Sequence, residues 1–137
     1  MLKRLGLLVA IIMFISGFGF SFSAGQSSGI PEVPVKDMVT MVDLGAKKCI
    51  PCKMMASVME SLEKEYAGKA AIVFIDVWET PGQYKKFSVN KIPTQIFYDK
   101  TGKEAYRHEG FLDRDSIAKK LEELGVKPAN PNVLKNF

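Results

Sequence analysis

The stretch Val42-Asp43-Leu44-Gly45-Ala46-Lys47-Lys48-Cys49-Ile50-Pro51-Cys52-Lys53-Met54-Met55 (VDLGAKKCIPCKMM) holds both cysteines of the chain, at the point where one pattern gives way to another. Before it, Val39 to Leu44 is a short, mostly apolar run that reads as a buried strand. After it, Met54, Met55, Val58, Met59, Leu62 and Tyr66 recur at helical spacing, and Gly68 supplies the stop. A strand that hands over to a helix through two cysteines is the feature from which the rest is read.

Working outward, Ala70 to Val77 (AAIVFIDV) is the strongest strand of the chain and reads as the central one, with Trp78 after it as a packing residue or loop anchor. Thr80-Pro81-Gly82 opens a short polar helix ending near Phe87, with Thr80 as its cap. Thr94 to Tyr98 is a further strand. Asp99-Lys100-Thr101-Gly102 is a turn, and Lys103 to Glu109 returns as the second arm of a hairpin. Asp113 caps a last helix that runs to Leu124, with Ile117, Leu121 and Leu124 on one side and Gly125 ending it. Strand–helix–strand–helix–strand–strand–helix predicts an α/β fold: a three-layer sandwich with a mixed central sheet flanked by helices.

The 137 residues suit one domain, and 47% hydrophobic content is enough for a core. Apolar residues are concentrated at the start. Met1 to Ala24 has Lys3 and Arg4 at its head and an apolar run over residues 5–22. It reads as a signal peptide or, if retained, an N-terminal membrane anchor. The protein is therefore expected to be exported, periplasmic or otherwise extracytoplasmic. Residues 25–36 mix Gly, Ser and Pro and read as a linker, 37–127 as the domain, and 128–137 as a tail. The net charge of +4 includes Lys3 and Arg4, and no basic stripe with interleaved aromatics speaks for nucleic acid.

The Cys-x-x-Cys spacing beside a strand–helix–strand pattern is a redox motif with a physical basis. At a helix N-terminus, unpaired N–H groups and the macrodipole favour an anion, so the Cys49 thiol is expected to ionise below its free value of ~8.5. Lys47 and Lys48 are expected to act in the same direction. Pro51 sits where its missing N–H costs nothing. Cys52, one turn in, is placed to resolve a mixed disulfide formed at Cys49. Other uses of the pair remain: a structural bridge across a very small loop, a zinc site short of ligands beyond His108, or Cu(I) held by two thiols. Met54, Met55 and Met59 are soft ligands in principle, but helical core packing accounts for them. His108 reads as a surface residue of the hairpin.

VDLGAKKCIPCKMM, together with KIPTQIFYDKTGKEAYRHEGF further along, resembles the thioredoxin superfamily, over roughly residues 37–125. The resemblance implies a thioredoxin-like fold and a protein-disulfide oxidoreductase that needs no cofactor or metal beyond the redox disulfide Cys49–Cys52. It makes Asp43 the buried acid that moves a proton at the resolving cysteine, and Pro93 the cis-proline opposite the disulfide. It implies substrate binding along Ile50, Pro51, Ile92, Pro93 and Gly110, with the Ile92 backbone free to pair with an extended chain. Its partners would be protein thiols and disulfides and, outside the cytoplasm, a membrane electron donor. The protein is expected to act as a monomer.

The departures from the family pattern are specific. Gly45 and Lys48 stand where tryptophans are common, Ile50 where glycine is, Ser57 where a helix-kinking proline is, and Ile72 where a lysine often neighbours the buried acid. Ile50-Pro51 keeps the proline of reducing members and lacks a thiolate-stabilising histidine. The expected direction is therefore reduction. The alternatives are an oxidase or isomerase, for which the two lysines would be the reason, and a non-enzymatic copper-binding or scaffold module.

Overall fold

The computed structural model describes residues 29–129. The expected signal or anchor, the first part of the linker and residues 130–137 lie outside them. Within the described residues, four strands form one sheet: β1 (Thr40–Gly45), β2 (Ala71–Asp76), β3 (Thr94–Tyr98) and β4 (Glu104–Glu109), in the order β2-β1-β3-β4. β1 runs parallel to β2, and their connection is the helix α1 (Ile50–Glu65). β3 lies antiparallel to both β1 and β4, joined to β4 by the tight turn. A short helix α2 (Gly82–Lys86) precedes β3, and α3 (Arg114–Glu123) follows β4.

Alternation across the sheet divides the core in two. Met41 and Phe97 point to one face, where Met55, Met59 and Leu62 of α1 and Ile117, Ala118 and Leu121 of α3 cover them. Val42, Leu44, Ile75 and Ile96 point to the other, under Phe87 and Val89 at the end of α2. This is the three-layer α/β sandwich that the pattern predicts. The α3 cap is also as read: Asp113 accepts the Ser116 N–H at 3.0 Å.

Several expectations are corrected. β2 is not central. It is an edge strand among the described residues, with five of its six positions only half-buried, whereas every residue of β1 is buried. An all-apolar run marks a strand, but β1 is shorter in apolar length and wins the centre because it pairs on both sides. Trp78 is not a core residue: it is 53% exposed. Thr80 does not cap α2. Its hydroxyl donates back to the Asp76 carbonyl, and Pro81 occupies the cap position. Met54 leaves the packed methionine face and is 54% exposed, because it sits about 100° round the helix from Met55.

The expected linker is partly domain. Val33 is buried in the second core cluster, Pro34 lies against the β3–β4 turn at Gly102, and the Val35 N–H donates to Thr40 Oγ1 at 3.0 Å. At the other end Val126 is buried, and Ala129, inside the expected tail, donates its N–H to the Glu65 carbonyl at 2.8 Å. Short Pro- and Gly-containing segments look alike whether they are free or packed, and a single buried valine has no periodicity to betray it.

Candidate active site

β1 ends at Gly45, and Ala46 to Lys48 turn the chain into α1 with Cys49 at the N-cap, in extended conformation (φ −83°, ψ 127°). The Cys49 carbonyl accepts the Lys53 N–H at 3.0 Å, closing the first helical turn. No acidic side chain occupies that turn, so none within it opposes an anion at the helix start. Cys49 is half-buried, Cys52 is buried, and the two are joined in a disulfide with Cα atoms 5.2 Å apart. Ile50 between them is 76% exposed, and Pro51 is exposed beside it.

The turn before Cys49 is tied to the end of β2. Asp76 accepts the Lys47 N–H at 3.0 Å through one oxygen, and the Trp78 and Glu79 N–H groups through the other. The Lys47 ammonium lies 3.0 Å from both Glu79 carboxylate oxygens, which holds it charged. Of the two lysines expected to serve Cys49, Lys47 is thus paired elsewhere, in an exposed ion pair of small energetic consequence.

Beneath the helix start lies Asp43, fully buried. Its register partners are Phe74 on β2 and Gln95 on β3. Burial pushes the Asp43 carboxyl up to about 6, and a hydrogen bond from Gln95 Nε2, 2.7 Å from Oδ1, opposes that rise. The other oxygen, Oδ2, is buried and makes no hydrogen bond among the described residues. A side chain at Gly45 would crowd this corner. A Cβ there would stand 3.1 Å from the Phe74 ring, 3.3 Å from Asp43 Oδ2 and 3.3 Å from the Cys52 Cβ. The space that a residue at position 45 would need is filled by Phe74, and Asp43 Oδ2 and the Cys52 Cβ both border the bare glycine.

Sheet register brings the remaining expected residues to the same end. Leu44 pairs with Thr94, so Pro93 stands just beyond the end of β1, and the Ile92–Pro93 peptide bond is cis. Thr94 also pairs with Glu109, and the Gly110 N–H donates to the Pro93 carbonyl at 2.7 Å. Gly110 has φ +101°, a conformation that only glycine adopts without strain. Pro93 is buried and Ile92 half-buried. His108 is half-buried, and its Nε2 lies 3.2 Å from the Phe111 carbonyl.

Gln95 is the residue that the sequence reading missed. The signal that was available is a lone glutamine inside the apolar strand Thr94–Tyr98, two residues from Phe97 and so on the same side of the strand.

A buried carboxyl behind a helix-terminal cysteine pair, on a mixed four-stranded sheet, defines the thiol–disulfide oxidoreductase class of α/β sandwich. Comparison with known proteins narrows this. The Thioredoxin family matches residues 31–123, and the chain belongs to that family. Thioredoxin 2 of Chlorobaculum tepidum is 36% identical over 105 residues, covering 77% of this chain and 95% of the relative. The thioredoxin of Staphylococcus saprophyticus is 39% identical over 89 residues, covering 65% of this chain and 85% of its own length. Among solved structures, a chloroplastic thioredoxin z superposes with a TM-score of 0.60 at 32% identity, over 65% of this chain and 80% of that one. The germline-specific thioredoxin Deadhead of Drosophila melanogaster gives 0.57 at 27%, over 64% and 82%. The protein is a thioredoxin-like protein-disulfide oxidoreductase with Cys49 and Cys52 as its redox pair.

Proposed function

We propose that this protein is a disulfide reductase of protein substrates outside the cytoplasm. One arrangement carries the reading: a cysteine pair at the N-terminus of a sixteen-residue helix, with the Asp43 carboxyl buried behind it. In the reduced protein, Cys49 is the thiolate, stabilised by the helix N-terminus. It attacks one sulfur of a substrate disulfide, forming a mixed disulfide and expelling the first substrate thiolate. Asp43 takes the proton of Cys52. The Cys52 thiolate then attacks Cys49 Sγ, the bond to the substrate breaks, and the second substrate sulfur leaves with the electron pair. The protein ends as the Cys49–Cys52 disulfide, and two electrons have passed to the substrate.

An extended substrate segment is received beside the exposed Ile50 and Pro51, against the backbone of Ile92, Pro93 and Gly110. The reducing direction draws on Pro51 within the motif and on the proton path through Asp43. Export draws on the charged head and apolar run of Met1 to Ala24. A reductase in that compartment is recharged by a membrane electron donor, because each turnover leaves it oxidised.

Cys52→Ser tests the chemistry. Offered a peptide disulfide, the reduced variant is expected to accumulate a mixed disulfide through Cys49, and failure to trap one overturns the exchange mechanism. Equilibration of the parent with glutathione tests direction: a potential above about −180 mV excludes the reductase role. Residues 1–24 fused to a reporter that matures only after export test the location, and a silent reporter overturns it.

A further inference from the structure

We infer that Gln95 is a positioning residue for the exchange reaction, holding one oxygen of Asp43 so that the other faces Cys52. The inference rests on the exchange mechanism proposed above and names a residue that the mechanism had not used.

The geometry is specific. Gln95 is fully buried in β3, and its Nε2 donates to Asp43 Oδ1 at 2.7 Å, across a chain separation of 52 residues. A buried carboxylate accepts hydrogen bonds and an amide nitrogen only donates, so this contact favours the charged acid. Oδ2 has no such partner. It lies on the Gly45 side, where the hypothetical Cβ would be 3.3 Å from Oδ2 and 3.3 Å from the Cys52 Cβ. Oδ2 and Cys52 Cβ are thus no further apart than twice that distance, with no side chain at position 45 between them. A carboxyl free to rotate would present either oxygen to Cys52 or neither. Gln95 removes that freedom.

The rest of the surroundings cannot do this. β2 presents the apolar Phe74, the end of β1 presents Gly45, and α1 presents Cys52. Beyond Gln95 in the same row stands His108 of β4, whose Nε2 is turned to the Phe111 carbonyl. Among the described residues, burial and Gln95 are the two influences that move the Asp43 carboxyl.

The test uses Gln95→Leu in the full chain, reduced and mixed with a chromogenic aryl disulfide. The first aryl thiolate reports attack by Cys49, and the second reports attack by Cys52. Loss of one charge-assisted hydrogen bond is expected to move the rising limb of the second phase up by about one pH unit. The second phase then slows at least about fivefold near pH 6, and part of that slowing persists near pH 8, where the carboxyl is ionised but no longer aimed at Cys52, while the first phase is unaffected. An unshifted limb in a folded variant overturns the inference. If the parent itself releases only one aryl thiolate, the exchange mechanism fails, and that result is distinct. Should Gln95→Leu not fold, Gln95→Met offers a flexible chain of similar volume. A measurement on the parent needs no variant: the nitrogen-labelled Gln95 side-chain amide must titrate together with the Asp43 carboxyl. An amide resonance indifferent to that titration overturns the inference too.

Discussion

Replacing Asp43 with asparagine removes a charge from the middle of the sheet while keeping the oxygen that accepts from Gln95. The structure fixes both the sign and the size of the expected effect. Burial raises the Asp43 carboxyl from 3.8 to about 6, so the folded protein holds that proton more tightly than the unfolded chain does. The stability this group contributes is fully present below pH 3.8 and is lost as pH rises through about 6. Above that, the folded state carries a buried carboxylate at a disadvantage of about 3 kcal/mol relative to its neutral form. The asparagine variant carries no such burden at any pH. The stability gap between Asp43→Asn and the parent is therefore expected to widen from about 0.5 kcal/mol near pH 4 to about 3 kcal/mol near pH 8. Urea unfolding of the two oxidised proteins across that range measures it, and titrations common to both cancel in the difference. A gap that stays constant from about pH 4 to about pH 8 would refute the reasoning, because the raised carboxyl would then not exist. The same variant is expected to slow the second step of exchange, so stability is gained where function is lost.

Two further substitutions probe the packing around the site. Gly45→Val is expected to lose about 1–3 kcal/mol through overpacking against Phe74, and Phe74→Ala in that background should restore part of it; a double-mutant cycle with no coupling would show that Phe74 does not occupy the space. Arg114→Met leaves the buried Glu65 carboxylate without the guanidinium that holds both its oxygens, an expected loss of about 3–5 kcal/mol. Denaturant midpoints check it, and a loss no larger than that of an exposed pair would contradict the burial of Glu65.

The amino-acid sequence was sufficient for most features whose information is local, the Thr80 cap being an exception. The strand before Cys49, the helix after it, the hairpin turn at Asp99–Gly102 and the Asp113 cap are each set by residues within a few positions of one another. The redox pair was legible for the same reason, since a helix N-terminus and two thiols one turn apart form a local chemical device. Periodicity also told which faces of α1 and α3 are apolar, with Met54 the exception because the stripe at its N-terminal end is narrow.

What the pattern could not reach is which strand lies beside which, and in what register. β2 is the more hydrophobic run yet stands at the edge, because centrality depends on pairing on two sides and not on composition. Val33 joins the core, and Asp43 meets Gln95, only once distant segments have been brought together. The sequence alone therefore determined that two thiols sit one turn apart at a strand–helix junction, where thiol chemistry is favoured, since that follows from neighbours along the chain. Tertiary structure alone decided how the acid behind the thiols is held and aimed, because the Gln95 hydrogen bond and the Gly45 gap exist only when three strands and a helix meet.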